Sequence, residues 1–489
     1  MTFQVKQVIS KLCVWFSKFE RGWVSLIFLV AFGLFSVGLS APLRTERDGY
    51  YRFQGAMYAL KKHDYFPVNG SVWLPLHTSF MMLPQALFPS SQLAPRVATL
   101  FVASFIPVLL YLLTLRLANQ RLAAVLVAAL YIAYPFSFYF SSSTLSEPVF
   151  LALLLLSQYF FLEKKYWQFG LGMLFCQAIR FEAWFLIPWY MLEIWLIKLV
   201  SLKVKILVSV LLIFFPLLYS GGGLIKERNA TPYYSQMSAM VSENAVSGIG
   251  NFPLAVSSWN LKILEATPLT LLLLIAIGLW VFYQRVSETK DIHSEEILNF
   301  VTAPLFLIFM LYVQVFLKLR DWLPIRYTFI PIVLLFPVLG LGLKWLFRKL
   351  PIKTFWSYYV LIGLFMIFEF YSQALNTKIL METYLPNNFS QIHSMINEIK
   401  RVSGSKQIES IQLLNTENKY LDRAFFYYFL LPQRVFVTNI NLTELPEILK
   451  KKTKNSLLIT ESKNINPKIN LPIFLKYGEY IVYQVGDFN

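Results

Sequence analysis

The segment from Tyr166 to Val200 reads "YWQFGLGMLFCQAIRFEAWFLIPWYMLEIWLIKLV". One membrane crossing needs about 20 apolar residues. This run is longer, and Arg180 and Glu182 interrupt it near its middle. Two shorter helices turning at those charges are therefore expected. The choice decides the topology downstream, because a single span here would move every later connection to the opposite membrane face.

Working outward, apolar runs of spanning length occur at about 22–41, 96–116, 121–140, 147–163, 204–220, 267–284, 299–317, 325–343 and 354–372. With the paired reading of 166–200 the total is about eleven spans. Lys6, Lys11, Lys18 and Arg21 precede the first run and place the N-terminus inside. The inner connections then carry Arg116 and Arg121, Lys164 and Lys165, Lys198 with Lys203 and Lys205, Arg285 and Lys290, and Lys344 to Lys353. Each is basic, as the positive-inside rule requires, and the paired reading is the one that keeps them so.

The bulk numbers agree with a mostly α, polytopic membrane protein. Of 489 residues 56% are hydrophobic and 15% charged, and the mean hydropathy is +0.54. The net charge of +17 sits in short clusters at the ends of apolar runs, not in an arm or stripe, which argues against nucleic acid as a partner. Cys13 and Cys176 stand at an inner end and inside a span, so neither a disulfide nor a thiolate metal site is expected, and four scattered histidines make no zinc-type cluster. The run from Gly22 to Ala41 suits a retained first helix better than a cleaved signal.

An odd number of spans puts the tail outside. Residues 1–372 form the membrane domain, and 373–489 are expected as a small extracytoplasmic α/β domain. Strand-like runs "SIQLL", "RVFVTN", "SLLIT" and "EYIVYQV" follow a helix-like stretch near 388–401. Two outer segments are long, 42–95 and 221–266, the latter opening on "GGG". Loops of that length are usually functional.

The outer face also gathers ionisable groups, each costly near a bilayer by roughly 2.5–3.5 kcal/mol and so a candidate for function. They are Arg44, Glu46, Arg47, Asp48 and Arg52 in the first loop, Glu147 at the start of the fourth span, Arg180 with Glu182, and Lys318, Arg320, Asp321 and Arg326 in "LKLRDWLPIRYTFIP". After Asp48, the apolar residues Tyr50, Phe53, Met57 and Leu60 recur at helical spacing. That predicts an amphipathic juxtamembrane helix with Arg52 reaching headgroups and Asp48 ionised at its positive end. In "VWLPLHTSF", Trp73 and His77 should hold the loop rigid on the membrane surface. A carboxylate beside guanidinium groups suits base-assisted displacement of a phosphate from a sugar. Each piece has a plainer reading: Asp48 as a helix cap, Arg180 and Glu182 as a mutually neutralising pair, Arg326 as a span anchor, Glu147 as a helix N-terminal charge.

Taken in order, these motifs resemble the GT-C glycosyltransferases, in particular the group that includes protein O-mannosyltransferases and lipid A aminoarabinose transferases. "RDGYYRFQGAMYALKK" resembles that group's acidic segment after the first span, with one carboxylate where the group has an adjacent Asp-Glu pair. "WLPLHTSF", "SEPVFLALLLL", "RFEAWFLIP" and "RYTFIPIVLL" are similar to its Pro-Pro-Leu, Ser-Glu, Arg-x-Glu and Arg-Tyr segments. The resemblance covers most of residues 1–372. It implies an inverting transferase of a bacterial inner membrane, acting on a polyprenyl-phosphate-linked sugar donor and a lipid, glycan or protein acceptor. It makes Asp48 the base and places Arg326, Arg180 and Lys318 at the lipid phosphate. Glu147, Glu182, Arg320, Tyr51, Arg52, Trp73 and His77 complete the expected substrate-binding set. No metal ligand is assigned, and the missing second acid leaves a divalent metal requirement open. Two other classes compete: a transporter or flippase of lipid-linked sugars, which would place broken helices and charges at mid-membrane, and a non-enzymatic scaffold displaying the tail.

Overall fold

The computed structural model describes residues 20–40, 47–64, 74–88, 93–227, 269–289, 294–316 and 325–349, five strands in the C-terminal part, and scattered single positions. The expected last span at 354–372 and most of the 221–266 loop lie outside the described residues. The chain divides into two compact units. One comprises residues 1–42, 66–77 and 99–380, and the other comprises 43–65, 78–98 and 381–489.

In the first unit the apolar runs become helices. α1 (Glu20–Ser40) is the first. In the second unit and across the segments that follow come α2 (Arg47–Lys61), α3 (Pro75–Leu87) and α4 (Ala94–Ala103). The run expected as 96–116 is divided between α4 and α5 (Ile106–Ala118). Pro107, in the first turn of α5, has no N–H to continue the ladder, and Ser104 turns its hydroxyl back to the Leu100 carbonyl at 2.8 Å. Likewise 121–140 is two helices, α6 (Arg121–Ala133) and α7 (Pro135–Ser141). Then follow α8 (Glu147–Leu162), α9 (Tyr166–Gln177), α10 (Glu182–Leu196) and α11 (Leu202–Glu227). The 166–200 segment is thus a helix pair that turns at Arg180. α11 runs on through Gly221–Gly223, so the first residues assigned to the second outer loop are helical.

Four helical stretches are long and apolar enough to cross a membrane among the described residues: Gly22–Leu39, Ala94–Ala118, Leu202–Gly222 and Leu269–Ser287. Shorter apolar helices accompany them at Arg121–Ala133, Glu147–Leu162 and Leu298–Val313. α1 packs by Ile27 and Phe28 against Val108 and Tyr111 of α5 and Ala124 and Ala128 of α6.

α12 (Leu269–Thr289) and α16 (Phe336–Lys349) approach through glycines. A Cβ on Gly342 would lie 2.6 Å from the Leu274 carbonyl oxygen, and one on Gly278 would collide with the Val338 carbonyl. Small residues let helix backbones close in this way where lipid offers no hydrophobic drive. Gly278→Ala is therefore expected to lower the thermal unfolding midpoint in detergent. The gain in helix propensity of about 1 kcal/mol is outweighed by a carbonyl that cannot move without parting the helices. Gly33 on α1, which has nothing within 4 Å of an added Cβ, should become neutral to more stable on the same change. Equal responses at the two sites would refute the close-packing account.

Between them, α13 (Ser294–Ile297) passes through a π-helical turn, Leu298–Thr302, into α14 (Ala303–Phe316). The wide turn presents Asn299 to the interior. Tyr190 Oη donates to Asn299 Oδ1 at 2.6 Å, and Gln158 Nε2 lies 3.4 Å from both Tyr190 Oη and the Asn299 carbonyl. This buried network is neutral, and it joins α8, α10 and the π turn. A 3-10 turn, Ile325–Thr328, then leads into α15 (Phe329–Leu334) and α16.

In the second unit α2 packs on α3 through Ala56, Ala59, Met81 and Met82, with Leu60 and Phe80 beside them. The packed face of α2 is centred on Phe53, Ala56 and Ala59, and Arg52 is 5% exposed. The expectation that Arg52 reaches headgroups is thus corrected: its side chain is buried, on the side of α2 that carries the small residues Ala56 and Ala59. The tail forms a five-stranded sheet in the order β2-β1-β3-β5-β4, with β1 Ser410–Leu414, β2 Phe436–Ile440, β3 Ser456–Glu461, β4 Ile473–Tyr477 and β5 Tyr480–Val485. β1 is parallel to β2 and β3, and β5 is antiparallel to β3 and β4. Leu457, Leu458 and Ile459 are fully buried in β3, as a central strand covered on both faces should be, and so are Met395 and Ile399 at helical spacing.

Candidate functional site

Arg180 is the centre of the charged group. It lies in the turn between α9 and α10, where its N–H bonds the Cys176 carbonyl at 3.1 Å and its own carbonyl accepts from Ala183 at 3.3 Å. Its guanidinium reaches in two directions. Nε and Nη2 grip Glu182 in bidentate fashion, at 3.1 Å and 2.5 Å. Nη1 donates to Ser146 Oγ at 3.0 Å and lies 2.8 Å from Glu147 Oε1. The Tyr327 ring centroid is 5.8 Å from the guanidinium carbon, in cation–π range.

Local sequence explains why these groups meet. Glu182 is the first residue of α10 and Glu147 the first of α8, where helix N-termini favour carboxylates. The preceding "SSSTLS" turn is tight and buried. Ser143 N–H and Oγ both bond the Phe140 carbonyl, at 3.1 and 2.7 Å, and Leu145 N–H bonds Ser143 Oγ at 3.1 Å. A fourth segment closes on the same turn. Leu76 N–H donates to the Ala178 carbonyl at 3.0 Å, and Leu74 packs with Ala178, Phe215 and Tyr219. Phe181 and Trp184 lie against Tyr219 at 5.8 and 5.7 Å.

The cluster is largely withdrawn from water. The Arg180 and Glu147 side chains are 8% and 1% exposed, and that of Glu182 is 18% exposed. Burial works against the guanidinium charge, but Glu147 and Glu182 outweigh it and hold Arg180 protonated above its ordinary range.

The opposite end of α8 has a different character. The helix has 16 residues, about 24 Å of rise. Past its last turn, Glu163 pairs with Arg116 at 2.7 Å. Arg285 Nη1 and Lys344 Nζ bond the Leu117 and Ala118 carbonyls at the end of α5, at 3.0 and 2.5 Å. Charges assigned from sequence to inner connections thus share one end of the unit, and Glu147, Arg180, Glu182 and Tyr327 share the other.

Of the expected site residues, Glu147, Arg180 and Glu182 are brought together. His77, fully buried, follows directly on the segment bonded to Ala178. Arg326 is in the 3-10 turn that carries Tyr327. Asp48, Tyr51 and Arg52 are in α2 of the other unit, with Asp48 in its first turn. Trp73, Lys318 and Arg320 lie outside the described residues. Ser146 and Tyr327 were not singled out from sequence, although each stands beside a residue that was, in "SEP" and "RYT". No group of three or more His, Cys, Asp and Glu is placed to hold a metal ion among the described residues.

No family profile matches the sequence, and no curated protein matches it. Among solved structures that do match is the crystal structure of ArnT from Cupriavidus metallidurans in the apo state. The likeness covers 95% of this chain and 98% of that one, at a TM-score of 0.57 and 10% sequence identity. At that identity it shows the fold alone: this chain folds like ArnT.

Proposed function

We propose that the protein is a membrane glycosyltransferase that moves a sugar from a polyprenyl-phosphate donor to an acceptor at the outer membrane face. The observation that carries this reading is the fold shared with ArnT over 95% of the chain. The motif order of the sequence supports it. So does the segregation of charge, with a mixed cluster at one end of the helical unit and basic residues at the other. By the positive-inside rule the basic end is cytoplasmic and the Arg180 end extracytoplasmic.

In the reaction, the Asp48 carboxylate takes the proton of the acceptor hydroxyl or amine. The acceptor atom attacks the anomeric carbon, the bond from that carbon to the phosphate oxygen breaks, and the configuration inverts. Polyprenyl phosphate leaves with the bonding electrons, and Arg326 and Lys318 stabilise its charge. Arg180 acts as a positioning residue, since its donors face Ser146, Glu147 and Glu182. Its contact with Tyr327 fixes the turn that carries Arg326. The Asp48→Asn variant tests the base.

The whole reading is tested with the full-length protein in proteoliposomes, given a panel of polyprenyl-phosphate hexoses and pentoses and cell-envelope extract as acceptor source. Release of free polyprenyl phosphate together with transferred sugar is the expected result. Passage of an intact donor between leaflets without cleavage would support the transporter instead.

A further inference from the structure

We propose that the basic end of the helical unit binds the phosphate of an anionic phospholipid headgroup, at a site built from Arg285, Lys344 and Arg348 and bordered by Trp280 and Trp345. This is independent of the transferase reading and can be measured without any sugar substrate.

Three helices end here. α5 stops at Ala118, α12 carries Arg285 in its last turns, and α16 carries Lys344 and Arg348 in its last two turns. The glycine contacts between α12 and α16 bring their backbones together, so their C-terminal cations are gathered and not spread. Arg285 and Lys344 bond adjacent carbonyls, those of Leu117 and Ala118. Part of their role is therefore to cap α5, a favourable use of cations at a helix C-terminus. Capping does not account for the cluster. One donor of the Lys344 ammonium is used on Ala118, and an ammonium has three. Arg348 is exposed, and its side chain makes no hydrogen bond among the described residues.

The cations also act on one another. Glu163, at the same end, is held by Arg116. Burial, and then the charges of Arg348 and Arg285, push the Lys344 ammonium below its ordinary value. Three cations held close enough to repel one another are stabilised by a bound anion.

The surroundings decide between a lipid headgroup and a free phosphate. Trp280 and Trp345 meet edge to face at 5.5 Å. Trp280 is 46% exposed and Tyr283 is 69% exposed. Tryptophan and tyrosine pairs of this kind mark headgroup depth. Below them Leu273 and Leu269, also exposed, continue on the same face of α12 as Trp280, about two and three turns away. An acyl chain finds an apolar track there that leads directly to the cations. A soluble phosphate would make no use of it.

The test uses the full-length protein, delipidated in neutral detergent, titrated with phosphatidylglycerol or phosphatidylcholine of identical chains and read by native mass spectrometry. Wild type should retain phosphatidylglycerol and discriminate against phosphatidylcholine. Arg348→Gln should weaken phosphatidylglycerol binding by about fivefold, the effect of one basic residue near a membrane surface. Lys344→Gln combined with it should weaken binding further. Arg348→Gln is the deciding variant, because it leaves the Ala118 contact in place and the fold with it. Equal retention of the two lipids, or unchanged binding in Arg348→Gln, overturns the proposal. Displacement of the lipid by millimolar inorganic phosphate overturns it too, as it would make this a soluble-anion site.

Discussion

Asp48→Asn is expected to slow transfer from a polyprenyl-phosphate sugar by about 10²–10⁴-fold, the range for loss of a positioned general base, while the protein still inserts and folds. Asparagine keeps the shape and removes the charge and the basicity. Asp48 lies in the first turn of α2, where the helix dipole favours an ionised carboxylate. A base must be ionised to accept the acceptor's proton, so this position suits the task. The cost to folding should be small, about 0.3–1 kcal/mol for one charge at a helix N-terminus. The unfolding midpoint therefore separates lost chemistry from lost structure. If wild type transfers sugar and Asp48→Asn does so within a fewfold, the base assignment fails and the transferase reading survives. If wild type releases no polyprenyl phosphate from any donor in the panel, the transferase reading itself fails.

Arg180→Met should be the most destabilising single change among the described residues of the charged network, by about 3–5 kcal/mol. It removes the guanidinium shared by Glu147 and Glu182, with the Glu147 side chain at 1% exposure. Methionine fills similar space, so the loss is one of charge balance rather than volume. Adding Glu147→Gln and Glu182→Gln should recover much of the stability, since a network replaced as a whole leaves no buried charge uncompensated. Arg180→Lys should fall between, because an ammonium cannot make the bidentate grip on Glu182. Thermal unfolding and the yield of folded protein from membranes measure all three. If Arg180→Met unfolds with wild type and loses only donor affinity, seen as a raised KM, then Arg180 works on the donor phosphate and not as the pin of the fold.

Much of the helical unit was legible in the residues themselves. The apolar runs report which stretches prefer lipid, and the basic clusters report which ends meet. Together they divided 166–200 into the pair α9 and α10 around Arg180. In the tail, "SIQLL" is β1, and "RVFVTN", "SLLIT" and "EYIVYQV" overlap β2, β3 and β5. β4, "IFLKY", went unread because it is a short run directly behind a proline and ends in a lysine and a tyrosine. Breaks inside runs were equally silent. A hydropathy window averages over Ser104 and Phe105, and a π turn at Asn299 changes no composition.

The site was legible in part. The pairing of Arg180 with Glu182 follows from two residues of spacing at a turn. That Glu147 and Ser146 join them depends on α8 and α9 packing side by side, 34 residues apart for the Ser146 contact. The Tyr327 contact spans a still longer separation in the chain.

Sequence by itself determined the medium, the helices and the segregation of charge, because the cost of placing a charge in lipid acts on each residue separately. Only the tertiary structure decided the partners: that Arg52 turns inward, that Arg180 is shared by two carboxylates, and that Arg285, Lys344 and Arg348 gather around the end of α5. Those outcomes rest on distances between chain-distant backbones, set by small residues such as Gly278 and Gly342, and periodicity along a single helix contains no such distance.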